Sequence, residues 1–524
     1  MRKYLSILIL LSTILQGQMM RPSHFTMDPD TVYSGLIGSS VSDIVGQGDT
    51  LWLGSGHGLS ATFDNGNSFV GYSRQFSNLG KGGVSAIAEA GDTIWVAMGF
   101  DTTTTLGDLK AGGGISRSLD GGATWTWLGQ PMDTLRYTYS NGDSTAETYS
   151  QMAIFGQTII SIDVVTPIQN ITYDLAFDGS RLWATSFGGG LRKSEDLGET
   201  WTRVLLPWDD QSRLDSNLIV DLQDEIANNP QYYALDPLLH FNHIAFAVKA
   251  WGDTVWVGTS GGINRSIDGG QSWEHFTFRN SNISGNWVIA INRQILTDGS
   301  ERVWASTIAT GAGDQTGLSV YDADQGYWRA PKLGNKVWNL ASDPQTIYAA
   351  TDQGLWKSKD GLHFDRLPGY SSADGHSNIY ADAVYSVLVN QDAAVWVGTG
   401  DGLAVSYNGG LSWNIHKAQN TADQDEVYAY PNPFTPRSDK VLNGLGNLII
   451  HFSAEAGSEV AIHVFDFAMH QVKLVYDDTT PQAGPQERTW NGRSEVGYLV
   501  ANGTYFIRVA TDTETSWTKV MVIN

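Results

Sequence analysis

The sequence has no cysteine in 524 residues. That excludes a disulfide framework, thiol catalysis, thiolate-bound zinc and a lipid anchor on an N-terminal cysteine. Cations are also scarce, with 32 Lys and Arg against 55 Asp and Glu and a net charge of −23. No basic stripe is visible, so a nucleic-acid partner is not expected and adhesion to anionic lipid is disfavoured. After the first residues no apolar run approaches the roughly 20 residues of a membrane span. Glycine (58) and tryptophan (19), by contrast, are over-used. Together they favour short aromatic strands joined by many turns, an all-β chain rather than a helical bundle.

Residues 1–17 read as a secretory signal. Arg2 and Lys3 precede an apolar stretch from Leu5 to Leu15, and polar Gln16-Gly17-Gln18 follows. The expectation is cleavage near Gly17 and an exported chain with no membrane span.

Most of the remainder is a repeat. In its clearest copy IAFAVKAWGD leads into TVWVGTSGGI and NRSIDGGQSW, over 244–273. Aromatics of the second strand fall at Trp52, Trp95, Trp183, Trp256, Trp304, Tyr348 and Trp396, spaced by 43, 88, 73, 48, 44 and 48 residues. Four gaps match the period of a propeller blade, and the two long ones contain insertions. One blade cannot bury both of its faces, so the units must stack around an axis. Seven aromatics predict seven blades over 36–417. An eighth blade within the 88-residue gap is rejected, because 128–172 contains neither the Trp-x-Gly-Thr strand nor the turn described next.

That turn is Ser-x-Asp-x-Gly-x-x-Trp. Complete copies contain Asp120 and Trp125, Asp196 and Trp201, and Asp268 and Trp273; variants carry Asp64, Asp360, and Asn408 with Trp413. Asp is expected to accept hydrogen bonds from backbone N–H groups two residues on, Gly to take the positive-φ position, and the aromatic to pack on the neighbouring blade. The pattern resembles the Asp-box of sialidase-type propellers, also found in xyloglucanases and photosystem assembly factors. The Trp-Val-Gly-Thr strand is similar to the sensor propellers of two-component regulators. The resemblance implies a fold and not a function, since the turn is structural in all these families.

Catalytic chemistry finds little support. The Arg-Ile-Pro signature of sialidases is absent, and Arg117, Arg192 and Arg265, each just before a Ser-x-Asp turn, read as repeat residues on the blade edge. Asp209-Asp210 reads as a solvated acidic loop before a glycosidase acid. His240-x-x-His243 has no third ligand nearby, and Asp322-x-Asp324-x-Gly326 is a fragment of a calcium loop. No metal, no cofactor and no catalytic residue are expected.

Insertions at 98–113, 126–172, 202–243 and 306–316 fall on neighbouring blades and on the face that carries the funnel. They should form one raised wall. Within it, Gln151–Val165 reads as a hairpin turning at Gly156 and 216–229 as a short helix before Pro230. The wall carries Trp127, Tyr137, Tyr139, Trp208, Tyr232 and Tyr233, as stacking platforms for a ligand or as glue holding the insertions down.

After a polar linker at 418–426, residues 427–524 alternate as strands of a small β-sandwich. Trp490-Asn-Gly-Arg493, Gly497 and Asn502-Gly-Thr-Tyr505 resemble the Ig-like domain of the flagellar hook-capping protein. The segment is also similar to C-terminal sorting domains of type IX secretion substrates, with Pro431-Asn432-Pro433, then Gly503 and Tyr505, then Lys519 before an apolar end. The resemblance implies the secretion machinery as a partner. The expected protein is a monomer, secreted or on the outer surface of a Gram-negative-type bacterium, binding a glycan or protein ligand. The alternatives are a carbohydrate-active hydrolase or lyase with its site under the 126–243 insertions, and a structural surface protein.

Overall fold

A computed structural model describes residues 35–523 apart from 106, 141–142, 148, 223–238, 312, 373–377, 419–426, 437–446 and 481–482. The described residues are almost entirely β. They divide into two compact units: one runs to Leu367 and includes Val384–Gly398, and the other comprises Pro368–Ala383 and the chain from Thr399.

The first unit holds antiparallel sheets of strands consecutive in sequence. The first is Val41–Gln47, Thr50–Ser55, Gly58–Thr62 and Val70–Tyr72, and five more follow, one with a fifth strand, Arg213–Leu214, on its outer edge. The first strands of successive sheets begin at Val41, Gly83, Thr172, Ala245, Trp287, Val337 and Val384. Each lies against the next, and Val384–Val389 returns to Val41–Gln47, so these seven strands form a closed cycle. Between these sheets, the described residues of 130–171 contribute two two-stranded hairpins and no four-stranded sheet.

Stacking of sheet on sheet explains the second-strand sequence. With both faces covered, these strands are apolar at nearly every position rather than alternating, and all seven aromatics from Trp52 to Trp396 are buried. The glycine two residues after tryptophan marks where the next sheet presses in. A Cβ on Gly54 would lie 2.5 Å from Val84, one on Gly258 2.6 Å from Val288, and one on Gly398 2.6 Å from Val41. The last of these contacts closes the cycle with the same device used inside it. A β-bulge recurs two residues into six of the seven first strands. In three sheets the residue after the bulge, Asp43, Asp174 or Asn339, accepts the N–H of Ile87, Val248 or Val387 on the next first strand.

The Ser-x-Asp turns interlock the sheets from outside. In the Asp120 copy the Ser118 hydroxyl accepts Gly122 N–H at 2.8 Å, and Asp120 accepts Thr124 N–H at 2.8 Å and the Thr124 hydroxyl at 2.6 Å. Asp196 and Asp268 repeat this arrangement. In these three copies the aspartate therefore reaches four residues on and serine holds the nearer donor, whereas in the shortened copy Asp360 accepts Leu362 N–H, two residues on, at 2.8 Å. The turn glycines, at positive φ, sit on the preceding sheet's tryptophan: Gly122 on Trp52, Gly270 on Trp183 and Gly66 on Trp396. Asp268→Ala removes these acceptors at a partly exposed site, where water replaces some of the loss. The expected cost is about 1 kcal/mol, read as a lowered melting temperature with ligand binding retained.

In the second unit a three-stranded sheet (Tyr428–Tyr430, Leu448–Ala454, Gly484–Trp490) and a four-stranded one (Gln471–Thr479, Glu459–Phe465, Gly503–Ala510, Thr515–Val522) share one core. Trp490, Phe434, Ile462 and Ile507 lie at its centre. Tyr505 donates its hydroxyl back to Ala501 O at 2.9 Å. The Pro431-Asn432-Pro433 segment clasps the last strand: Asn432 accepts Met521 N–H at 3.0 Å and donates to Lys519 O at 3.1 Å, and Phe434 N–H donates to Met521 O at 2.7 Å. Asn432→Ala should leave the sheets folded but raise amide exchange at Met521 and Ile523 several-fold; unchanged exchange would show that the clasp carries no weight.

Candidate functional site

Of the expected wall, the structure joins the second of the two hairpins to the segment 202–222 through one shared core. In the second hairpin Tyr149–Ile154 pairs with Gln157–Ile162 across Phe155 (φ 46°) and Gly156 (φ 79°), a two-residue turn with both residues left-handed. Met152, Ile154 and Ile159 face inward, while Tyr149 and Phe155 face solvent. The helix spans Ser216–Asp221 and is capped by Asp215, which accepts Leu218 N–H at 2.8 Å. The expected continuation to 229 lies outside the described residues.

Trp208 is only 4% exposed and packs with Ile159, Leu205, Leu206, Leu214 and Leu218. It is glue, not a platform, because an indole in a 202–222 segment that folds back on its sheet is the largest apolar group available to fix it. Trp127 is 53% exposed on the second sheet's outer strand, its indole N–H tied to Gly113 O at 3.1 Å, and Tyr137 is exposed on the first hairpin. Tyr149 and Phe155 join them as exposed wall aromatics that the sequence reading missed. The signal was the period-2 alternation of 149–155, which places both on one face. The side chain of Tyr139, and the whole of Tyr232 and Tyr233, lie outside the described residues.

Asp209 is not a free acid. Its carboxylate accepts Phe241 N–H at 3.0 Å and Asn242 N–H at 2.8 Å, pinning 202–222 to the short helical turn Phe241–His243. The rings of His240 and His243 are 5.9 Å apart, and no group able to hold a metal forms among the described residues.

The arginines separate into two kinds. Arg117 and Arg265 stand opposite Trp95 and Trp256 and reach the neighbouring sheet, Arg117 to Glu199 at 2.7 Å and Arg265 to the Tyr321 hydroxyl at 2.9 Å. Arg192 does not share their place, which corrects the expectation. Lys193 stands opposite Trp183, and Arg192, one residue earlier, pairs with Ala184. A one-residue offset in a strand sends the side chain to the other face. Arg192 is 1% exposed and donates to Asp133 at 2.9 Å.

Asp133, from the insertion before the hairpins, also takes Arg203 at 2.5 Å and Val164 N–H at 2.8 Å. Arg203 continues to the Ser161 hydroxyl and Ile162 O. Burial alone would raise the Asp133 carboxyl, but the two guanidinium groups outweigh it and hold it below the ordinary range. Burial, then Arg192 beside it, brings Arg203 down to about 10. Burial, with His240 and Arg203 nearby, keeps His243 uncharged. Against this group lies a small cavity of about 10 Å³ lined by Gly188, Gly189, Gly190, Leu191, Arg203, Val204 and His243.

No family model and no curated protein matches the sequence. Among solved structures, PorZ of Porphyromonas gingivalis, described as an essential bacterial surface component of the type-IX secretion system, is 14% identical with a TM-score of 0.37. The alignment covers 91% of this chain and 64% of that one. YCF48 of Cyanidioschyzon merolae is 14% identical (TM-score 0.35, covering 66% of this chain and 88% of that chain). The GH74 enzyme of Niastella koreensis is 14% identical (TM-score 0.44, covering 94% and 75%). At such values the fold reading stands on the strand topology itself.

Proposed function

We infer that the chain is a secreted or cell-surface protein whose seven-bladed propeller binds a glycan or protein ligand through the funnel-face wall. A C-terminal Ig-like sandwich acts as the export signal in this reading. The observation that carries the binding role is the set of aromatics left in solvent, Trp127 on the second sheet's outer strand and Tyr137, Tyr149 and Phe155 on the hairpins that follow it, while Trp208 does the anchoring. Solvent-facing rings on a rigid support supply contact area at little entropic cost. The hydroxyl link of Tyr505 to Ala501, at the start of its strand, supports the Ig-like reading.

The test is a glycan array and a pull-down with the mature chain. Trp127→Ala with Tyr137→Ala should weaken the ligand found by about tenfold or more at unchanged melting temperature. Unaltered affinity would move the site off the wall. For export, deleting 427–524 should leave the propeller in the periplasm, and surface display of the truncated chain would sink the sorting role.

A further inference from the structure

Among the described ion pairs, Lys110, Lys193 and Lys473 each meet one exposed carboxylate. Lys417 differs. Its Nζ lies 2.8 Å from Glu487 Oε2 and 3.4 Å from Asp401 Oδ2, side chains that are only 11% and 3% exposed. All three residues belong to the second unit.

Local structure brings the amine to the acid. Asp401 sits in the turn before Leu403–Ser406, its N–H donated to the Thr399 hydroxyl, which in turn donates to Gly402 O. Lys417 directly follows the strand Asn414–His416 that pairs with Leu403–Ser406. A Cβ on Gly402 would come within 3.2 Å of Lys417 Cγ and 2.9 Å of His416 O, so glycine there lets the lysine stem pass beside the turn. Asp401 Oδ2 also accepts Tyr380 N–H at 3.1 Å, and Glu487 Oε1 accepts the Tyr430 hydroxyl at 2.8 Å.

The two acids have different characters. Burial raises Asp401 to about 6, whereas Glu487 is held at about 2 because His451, Lys417 and Tyr430 together outweigh burial. Asp401 therefore takes a proton first, and a protonated carboxyl can lose its hydroxyl. Glu487 stays ionised as a base against the amine. Burial favours a neutral Lys417, although the two carboxyls outweigh it, so the ammonium needs such a base before it can attack. Lysine can shed that proton, whereas arginine cannot.

We propose that Lys417 and Asp401 condense into an intramolecular amide, with Glu487 carrying the protons. Glu487 takes one proton from the Lys417 ammonium, and the freed amine forms a bond to Asp401 Cγ. The Tyr380 N–H steadies the charge that develops on Oδ2. Glu487 returns its proton to the departing Oδ1 hydroxyl, which leaves as water, and accepts the remaining proton from the new amide nitrogen before releasing it to solvent. One C–N bond forms, one C–O bond breaks and nothing is oxidised. Proximity supplies the drive toward the bond, and a neutral amide replaces two charged groups withdrawn from water. The ion pair is the state of the newly folded chain. The bond staples the chain to its turn where it leaves Asn414–His416, a strand held by three residue pairs. Because Glu487 belongs to the sandwich, the staple closes only after the sandwich has folded, whatever the wall binds.

The test is mass spectrometry of the denatured mature chain after prolonged incubation. The intact mass should fall below that of the sequence by one water, about 18 Da. A tryptic digest should give one branched peptide joining Lys417 to Asp401, with no cleavage after Lys417. Glu487→Gln and Lys417→Arg should both restore the full mass. A full mass in the unaltered chain, a branch ending on Glu487, or water lost with Lys417 free, as a cyclic imide at Asp401-Gly402 would give, overturns the proposal. So does a branch that survives in Glu487→Gln. The digest of the unaltered chain decides even if a variant fails to fold.

Discussion

Asp133→Ala should be among the most damaging single changes in the first unit, costing about 3–5 kcal/mol. The reason is not the loss of two hydrogen bonds. Removing the carboxylate strands two buried guanidinium groups that repel one another, and neither can shed its charge near neutral pH. Arg192 has no alternative position, since its strand is paired on both sides. Asp133→Asn should cost less, because an amide oxygen still accepts one arginine N–H. Denaturant midpoints for the two variants, with Asp268→Ala for scale, decide the matter. A loss below about 1 kcal/mol in Asp133→Ala would mean that the arginines have another source of compensation.

Lys417→Met should have a comparable effect in the second unit, about 3–5 kcal/mol. Lys417 lies 2.8 Å from half-buried Glu487 and 3.4 Å from buried Asp401, and Tyr430 donates to Glu487 at 2.8 Å. Methionine keeps the stem and deletes the charge, leaving two carboxylates in one apolar site. The pH response separates this account from simple loss of packing. In the parent, burial raises Asp401 to about 6, whereas Glu487 is held at about 2: burial opposes this, but His451, Lys417 and Tyr430 together prevail. Asp401 therefore contributes stability at low pH that is lost as pH rises through about 6. Glu487 contributes stability above its unfolded value that is lost as pH falls through about 2. Without Lys417 both carboxyls prefer their protons more strongly, so the variant should recover much of its deficit between pH 7.5 and 5. A deficit of equal size at both values would show that Lys417 acts through its stem alone.

The residues that gave themselves away in the sequence were those doing one job many times. Trp52 to Trp396 and the turn residues Asp120, Asp196 and Asp268 repeat a local solution, so register alone placed them. Asp133 left no such trace. It is a solitary acid in an insertion whose partners lie 59 and 70 residues away, and nothing periodic connects them. Arg192 was readable, since it stands two residues before Ser194 where Arg117 and Arg265 stand one before theirs. Counting that offset would have turned it to the opposite face. Trp208 and Trp127 look alike in sequence, both being aromatics just past a blade, and only the course of 202–222 over the third and fourth sheets separates anchor from exposed ring. The contacts that close the cycle combine Val41 with Gly398 and Gly66 with Trp396, and each half is legible alone as an ordinary repeat position.

Closure has a consequence for time. The Ser386 hydroxyl meets Val41 O across 345 residues of sequence, and the strand Val41–Gln47 belongs to a sheet made wholly of N-terminal chain. Among the described residues no strand from the far end is woven into that sheet, and the seam is joined by contact between sheet faces. The entropy of bringing two such distant segments together is spent before the contacts form, which makes this joint late and slow relative to the local meanders on either side. A chain emerging from its N-terminus completes its first sheet early and then carries an open apolar flank until about residue 398 has followed. The most aggregation-prone interval in the life of this protein is thus set by how quickly its last inner strands arrive, and a kinetic measurement of refolding should find that the slowest phase reports on Trp396 closing over Gly66.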